Sequence, residues 1–259
     1  MDQAFEQLPA AVAQGEQRRA AGRAQWMGRR ALAALLLEDN PQAAVDALLE
    51  SLRRGCAPAD LASAVAYAAS LRIARFHTSN EFGDWDTALH TFTFANAVHQ
   101  GMRRAPSVEL LRGVFDAAMS VYLDRFLNIP AARLPQPNGT APDAEQALQN
   151  LSRLLDRQQQ VNPAAQEVAS YLHHGGDPAA LLATLGRLLL REDRDFHTIQ
   201  MVEAAVRQHS LIEDAEERSH LLIAAIRYLA AHAPTVRSQG QTYTIAQRLH
   251  QGERLFEED

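Results

Sequence analysis

Histidines and carboxylates placed one helical turn apart are the residues best suited to chemistry in this chain of 259 residues. Residues four apart in an α-helix lie on the same face. The sequence contains three such carboxylate–histidine pairs, which are Asp86 with His90, Asp193 with His197, and Glu216 with His220. The first pair belongs to the stretch FHTSNEFGDWDTALHTFTFANAVHQ, which begins at Phe76 and is the part of the chain richest in histidine and carboxylate.

Two kinds of chemistry are open to each pair. The carboxylate can orient and polarise the imidazole, or both side chains can bind one metal ion. The Glu-x-x-His motif of di-iron bundles is not present in paired form, which disfavours a conventional di-iron site. Histidines backed by carboxylates suit iron, zinc, copper or haem better than magnesium or calcium. A structural role stays open at this point, because such histidines are often hydrogen-bonded interior residues and such pairs are often surface ion pairs.

Composition excludes several other function classes. All 25 positive charges are arginines, so chemistry based on a lysine Schiff base is excluded. The net charge of −6 argues against a general nucleic-acid-binding protein. Cys56 is the single cysteine, which allows no internal disulfide, and no window approaches the roughly 18 apolar residues of a membrane span. We therefore expect a cytoplasmic protein that has neither nucleic acid nor a membrane as its partner.

Amphipathic helices separated by proline, glycine and asparagine account for nearly the whole chain. The sequence therefore predicts an all-α fold of about ten to twelve helices. The predicted ranges are about 5–20, 27–38, 42–54, 58–77, 86–103, 107–126, 143–158, 163–174, 178–197, 198–209, 214–232 and 242–256. A proline-rich linker over 129–142 divides the chain near its middle.

An internal duplication is indicated when the chain is shifted by 120 residues against itself. Gly55 then falls on Gly175, Pro58 falls on Pro178, and the triplet at 76–78 falls on the identical triplet at 196–198. The sequence predicts a single domain over 1–259, built from a first repeat at 28–128, the linker at 129–142 and a second repeat at 143–256. A pseudo-twofold arrangement of the repeats would bring His77 and His90 together with His197 and His220.

Four stretches of the chain resemble one known group of proteins. They are the segment from Phe76 quoted above, LLRGVFDAAMSVYLDRFLNIPAARLP, REDRDFHTIQMVEAAVRQ and TYTIAQRLHQGERLF. They are similar to the helical region of bacterial Rieske 2Fe-2S domain-containing proteins and, more weakly, to questin oxidase-like helical proteins. The resemblance implies an association with redox or oxygenase chemistry. A Rieske centre needs two cysteines and two histidines, so a chain with one cysteine cannot build it.

These observations lead to the hypothesis of a metal- or haem-dependent redox protein that acts on a small organic substrate between the two repeats. The predicted ligands are His77, His90, His197 and His220, with Asp86, Asp193 and Glu216 as alternative ligands or as partners that orient the histidines. The predicted substrate pocket includes Trp85, Asn96 and Gln200.

The expected cofactor is a transition metal, with iron favoured, or haem, and no Fe–S cluster is expected in this chain. A separate electron-transfer protein is an expected partner, and the oligomeric state is left open. The competing hypothesis is a helical interaction module without catalytic activity that partners an electron-transfer protein.

Overall fold

Twelve α-helices build the part of the chain that a computed structural model describes, which is residues 1–137, 143–193, 195–237 and 240–253. The predicted all-α fold of ten to twelve helices is confirmed, and these ranges contain no β-strand beyond an isolated bridge between Glu192 and Arg237. A 3-10 turn, Asp124–Leu127, follows the sixth helix. The helices are α1 Asp2–Ala20, α2 Arg29–Leu36, α3 Pro41–Arg53, α4 Pro58–Ala74, α5 Phe82–Arg104, α6 Val108–Leu123, α7 Ala144–Leu155, α8 Val161–His173, α9 Pro178–Arg191, α10 Phe196–Leu211, α11 Ala215–His232 and α12 Gln241–His250.

Two helix starts differ from the sequence prediction because side chains cap the helices elsewhere. α5 begins at Phe82 rather than near residue 86, since Glu81 and Asp84 form a capping box there. α9 ends at Arg191 instead of running to residue 197, and α10 begins at Phe196, where the Asp195 carboxylate accepts a hydrogen bond from the Thr198 N–H at 2.9 Å. The prediction that Asp193 and His197 share one helix face is therefore wrong.

α4 and α11 form the centre of the molecule and pack directly against each other. Every residue from Leu61 to Ala74 is buried on α4, and every residue from Leu221 to Ala230 is buried on α11. A helix that is buried on all sides must be covered by other helices. α2, α5 and α6 cover α4, whereas α8 and α10 cover α11. The first half of the chain thus surrounds one central helix and the second half surrounds the other.

The predicted duplication is visible in one turn but not in the triplets. At the end of α3, the N–H of Gly55 bonds to Leu52 O and the N–H of Cys56 bonds to Ser51 O. The same two bonds occur 120 residues later, at the end of α8, and both turns use a glycine at positive φ. By contrast, Phe76 is buried after α4 and Phe196 is exposed on α10. A common origin of the two halves therefore stays a prediction.

The predicted linker packs against the segment that follows α4. Asn128, just before it, donates a side-chain hydrogen bond to the carbonyl of Arg75 at 3.0 Å, and the N–H of Ala132 bonds to the same carbonyl at 2.8 Å. Residues 138–142 of the predicted linker lie outside the described residues. The contact fixes the linker beside the histidine-containing loop at 76–80.

None of the helices in the described ranges combines the length and the apolar character that a membrane span requires.

Candidate functional site

Two predicted ligands of the second repeat, His220 and Glu216, have partners from the first repeat that are not histidines. His220 Nδ1 lies 2.7 Å from the hydroxyl of Tyr67 on α4. Glu216 binds Arg30 of α2, with Arg30 Nη1 donating to Glu216 Oε2 at 2.7 Å. Burial lowers the pKa of His220, which favours the neutral ring. His220 and Glu216 therefore join α11 to α4 and α2.

His77 lies in the loop after α4. Its ring Nδ1 is 2.7 Å from the Ser79 hydroxyl, and its backbone N–H donates to Asn128 Oδ1 at 2.9 Å. These bonds hold the ring at a cavity beside the linker. His77 thus belongs to a different neighbourhood from His220.

His90 and His197 are the two predicted ligands that the fold brings into ring contact. The centroid of the exposed His90 ring on α5 lies 5.2 Å from that of His197 on α10. The Nδ1 atom of His197 is 3.2 Å from the carboxylate of Asp195, a residue that the sequence prediction did not include. Asp193 is exposed, and its backbone N–H donates to the Thr235 hydroxyl.

Asp86 faces α11 and not the histidine one turn further along α5. The Tyr228 hydroxyl donates to Asp86 Oδ1 at 2.6 Å, and Nε2 of His232 lies 3.5 Å from the same oxygen. Burial, followed by the bond to Asp86, raises the pKa of Tyr228. Tyr228 and His232 were not identified from the sequence.

No group of three His, Cys, Asp or Glu side chains within the described ranges is placed to hold a metal ion. The expectation that His77, His90, His197 and His220 meet at one point is therefore wrong, because the loop after α4, the contact between α5 and α10, and α11 place them in three separate neighbourhoods. Metal binding by fewer of these residues stays a prediction.

The three predicted pocket residues also lie apart. Trp85 is buried at the start of α5 and lines a cavity, with its ring packed edge-on against Phe76 at 5.0 Å. Asn96 is buried further along α5, where its carbonyl oxygen accepts a 2.7 Å hydrogen bond from Gln208 Nε2. Gln200 is exposed on α10.

Arg227 is a buried arginine whose hydrogen-bond partners are all neutral. Its side chain is 1% exposed and lies in the fully buried part of α11. Nη1 donates to Asn162 Oδ1 at 2.8 Å and Nη2 donates to the carbonyl of Phe76 at 2.6 Å, whereas Nε has no hydrogen-bond partner. Within the described ranges, no carboxylate forms an ion pair with it. A cation is therefore buried with only neutral acceptors.

Burial is the sole cause that shifts the pKa of Arg227, which falls to about 10. The guanidinium therefore keeps its charge at neutral pH. Burying an unpaired charge is costly, and most buried charges are paired with an opposite charge. The cost of burying this arginine would be offset by an anion that reaches it.

A cavity of about 360 Å³ adjoins this arginine, and we call it the Arg227 cavity. Among the described residues, its lining includes a second arginine and a histidine but no aspartate or glutamate. This composition is notable because acidic residues outnumber basic ones, 31 to 25, in the chain. The lining residues are His77, Thr78, Pro130, Ala131, Ala132, Arg133, Pro135, Asn162, Gln166 and Arg227.

The first turn of α8 adds to the positive character of this cavity. α8 begins at Val161 without a side-chain cap, and Asn162 of the same turn lines the cavity. The N-terminus of a helix carries a partial positive charge and free N–H groups, both of which favour anions. Two arginines and a helix N-terminus thus converge on one cavity.

A second cavity of about 430 Å³, the Trp85 cavity, lies next to the first. Thr78 lines both cavities. Val161 of α8 and Ala231 of α11 line the Trp85 cavity, whereas Asn162 and Arg227 of the same two helices line the Arg227 cavity. The lining of the Trp85 cavity includes the aromatic rings of Phe82 and Trp85. The lining residues are Thr78, Asn80, Glu81, Phe82, Gly83, Trp85, Gln159, Val161 and Ala231.

The sequence held a signal for Arg227 that the histidine pattern obscured. Arg227 interrupts the run LLIAAIRYLAA on α11, where every other residue is apolar or tyrosine. Long charged side chains are almost never fully buried unless they are paired. An arginine inside a helix that is apolar on all sides therefore points to a buried cation, but its partners come from distant segments and are not visible in the sequence.

No protein-family model, curated protein or solved structure matches this chain. The resemblance to the helical region of Rieske-associated proteins therefore stays a prediction, and the function is argued from the geometry of the site.

Proposed function

We propose that this protein binds a small organic anion, a carboxylate or a phosphate ester, in the Arg227 cavity. The observation that carries the proposal is a fully buried arginine that, in the described part of the chain, has no carboxylate partner and adjoins a cavity lined by no acidic residue. The proposal thus specifies that the small-molecule substrate expected from the sequence is negatively charged. A cytoplasmic location, predicted from the sequence, is part of the proposal.

The chemistry of the cavity favours an anion over a neutral ligand. Hydrogen bonds to charged groups contribute about 1.5–3 kcal/mol each, roughly twice the value of neutral ones. Arg227 lines the cavity and its Nε–H has no hydrogen-bond partner, and the exposed Arg133 supplies a second guanidinium to the lining. Guanidinium groups match the planar oxygens of carboxylates and phosphates.

Calorimetric titration of the full-length chain with butyrate, methyl phosphate and butyramide tests the proposal. Butyramide has nearly the shape of butyrate but no charge. We expect saturable binding of at least one of the two anions and none of butyramide at the same concentration. Equal heats for butyrate and butyramide, together with no binding of methyl phosphate, would contradict the proposal.

Two arginine variants connect the binding to the cavity. Arg227→Met removes the buried charge and should lower the affinity for the anion by about tenfold to a hundredfold, since one charged hydrogen bond is lost. Arg133→Met, at the exposed rim, should weaken it by about twofold to fivefold. Arg23→Met is the matched control, because Arg23 is also an exposed loop arginine but does not line this cavity.

A metal site at His90 and His197 is the second candidate, supported by the contact between their rings. The bond from His197 Nδ1 to Asp195 leaves its Nε2 as the available ligand atom, an arrangement that is common at metal sites. Iron held there would be the cofactor of the redox hypothesis, with a separate electron-transfer protein as the partner that supplies electrons.

Titration with Co²⁺, whose absorption spectrum reports coordination, tests this second candidate. We expect one equivalent to bind to the wild-type chain and the binding to be lost in His90→Gln. His250→Gln is the control, because His250 is on α12, the helix without buried residues. Equal Co²⁺ binding by wild type and His90→Gln, or no binding by wild type, would rule out the site.

A further inference from the structure

We infer that the ligand is an amphipathic anion, whose charged group occupies the Arg227 cavity and whose apolar or aromatic body occupies the Trp85 cavity. The inference rests on the proposed function and adds the class of the ligand. It depends on how the two cavities join, on what lines the second one and on how charge is distributed between them.

The two cavities lie side by side along α11. Arg227 lines the first and Ala231 lines the second, and these residues are four apart on the same helix face. Four residues of helix span about 6 Å. Thr78 lines both cavities, and of the consecutive residues Val161 and Asn162 the first lines the Trp85 cavity and the second the Arg227 cavity. A ligand with a linker of a few methylene groups can therefore occupy both.

Two aromatic and two aliphatic side chains, those of Phe82, Trp85, Val161 and Ala231, supply the apolar part of the second cavity. Trp85 is held rigidly, because its ring packs edge-on against both Phe76 and Tyr228. Phe82, the first residue of α5, is 64% exposed and lines the same cavity. Pockets for small molecules combine such apolar walls with a few polar groups that fix the orientation of the ligand. A ring placed between Phe82 and Trp85 would cover apolar surface that water now contacts.

The charges that line the two cavities determine which end of the ligand lies in which cavity. Of the described residues that line the Trp85 cavity, Glu81 alone is ionisable, and its carboxylate belongs to the cap of α5. A negative charge at this end disfavours an anion, whereas the two arginines favour one at the other end. The anionic group of the ligand therefore lies at Arg227 and its body at Trp85.

Asn80 indicates that the ligand carries a hydrogen-bond acceptor near its apolar body. Its Nδ2 is buried without a hydrogen-bond partner, and the residue lines the Trp85 cavity. A buried donor without a partner costs about 1–3 kcal/mol. A carbonyl or ether oxygen on the ligand would satisfy it, so the class narrows to arylalkyl or alkyl carboxylates and phosphates that carry such an oxygen.

Titration of the full-length chain with butyrate, 4-phenylbutyrate and 4-oxo-4-phenylbutyrate tests the inference. The phenyl group should tighten binding by at least about tenfold over butyrate, because a ring is removed from water. The carbonyl next to the ring should tighten it further in the wild type and give no gain in Asn80→Ala.

Phe82→Ala and Phe196→Ala form a matched pair of variants. Both residues are exposed and each is the first residue of its helix, but only Phe82 lines the Trp85 cavity. Phe82→Ala should reduce the gain in affinity from the phenyl group by at least about threefold and leave the affinity for butyrate unchanged. Phe196→Ala should change neither value.

The outcomes separate this inference from the proposed function. A phenyl gain that depends on Phe82 supports the inference. Binding of butyrate with no phenyl gain, or with a gain that Phe82→Ala leaves intact, overturns the inference and leaves the proposed function standing. If none of the three carboxylates nor methyl phosphate binds, both are overturned.

Discussion

At the scale of single residues, burial in this helical interior shifts the pKa values of ionisable side chains. Arg227 has neutral acceptors only, whereas Arg72 and Asp124 are buried residues of opposite charge, each of which favours the ionised form of the other. Burial raises the pKa of Asp124 to about 6, although a hydrogen bond from Thr91 and the charge of Arg72 both lower it. Desolvation therefore exceeds the stabilisation that these partners give to the carboxylate.

Asp124→Asn should change how stability depends on pH. The folded pKa of about 6 lies above the ordinary value of 3.8 for an aspartate, so the folded chain holds a proton that the unfolded chain releases between these values. The stability that this group contributes is present below about pH 4 and is lost as the pH rises through 6. Relative to wild type, Asp124→Asn should therefore gain up to about 3 kcal/mol of unfolding free energy between pH 4 and pH 7.

Urea unfolding at a series of pH values measures this difference. Asp116→Asn is the control, because Asp116 is exposed on the neighbouring helix α6. A difference between wild type and Asp124→Asn that stays constant from pH 4 to pH 7 would show that Asp124 does not titrate in this range.

At the scale of helices, a buried polar network joins α5 to α10. Nδ1 of His99 is 3.0 Å from Gln208 Oε1, and Gln208 Nε2 donates to Asn96 Oδ1 at 2.7 Å. Because the Gln208 oxygen can only accept, the proton lies on His99 Nδ1. Burial lowers the pKa of His99, so the ring is favoured in its neutral form inside this network. Gln208 thus forms one hydrogen bond with each of two side chains, Asn96 and His99, on neighbouring turns of α5.

Gln208→Met should destabilise the protein by about 2–5 kcal/mol, because it leaves a donor on His99 and an acceptor on Asn96 buried without partners. Gln200→Met provides the matched control on the exposed face of the same helix and should stay within about 0.5 kcal/mol of wild type. Urea unfolding measures both. A loss below about 1 kcal/mol in Gln208→Met would show that α5 and α10 do not depend on this network.

Helices were predictable from this sequence, and their ends less so. Apolar periodicity and proline punctuation predicted twelve helices, and the structure has twelve in its described ranges. The break between α9 and α10 was misplaced because Asp195 caps a helix in the middle of a continuous helical pattern. That shift separated Asp193 from His197 and removed one of the three pairs on which the metal hypothesis was based.

At the scale of the whole molecule, the two halves meet along α4 and α11, and the candidate site lies where the loop after α4 crosses α11. The carbonyl of Phe76 and the side chain of Asn162 both accept hydrogen bonds from Arg227. These residues are 151 and 65 positions away from Arg227 in the chain. Such long-range contacts cannot be read from local spacing, which explains why the site was missed.

The most direct test of the account is the ¹H–¹⁵N resonance of the Arg227 Nε–H group in the full-length chain, assigned by its loss in Arg227→Met. If the buried guanidinium binds an organic anion, this resonance shifts progressively and saturably as whichever of butyrate or methyl phosphate binds is added, and it does not move with butyramide. A resonance that stays in place while that anion binds would contradict the assignment of the anion to Arg227.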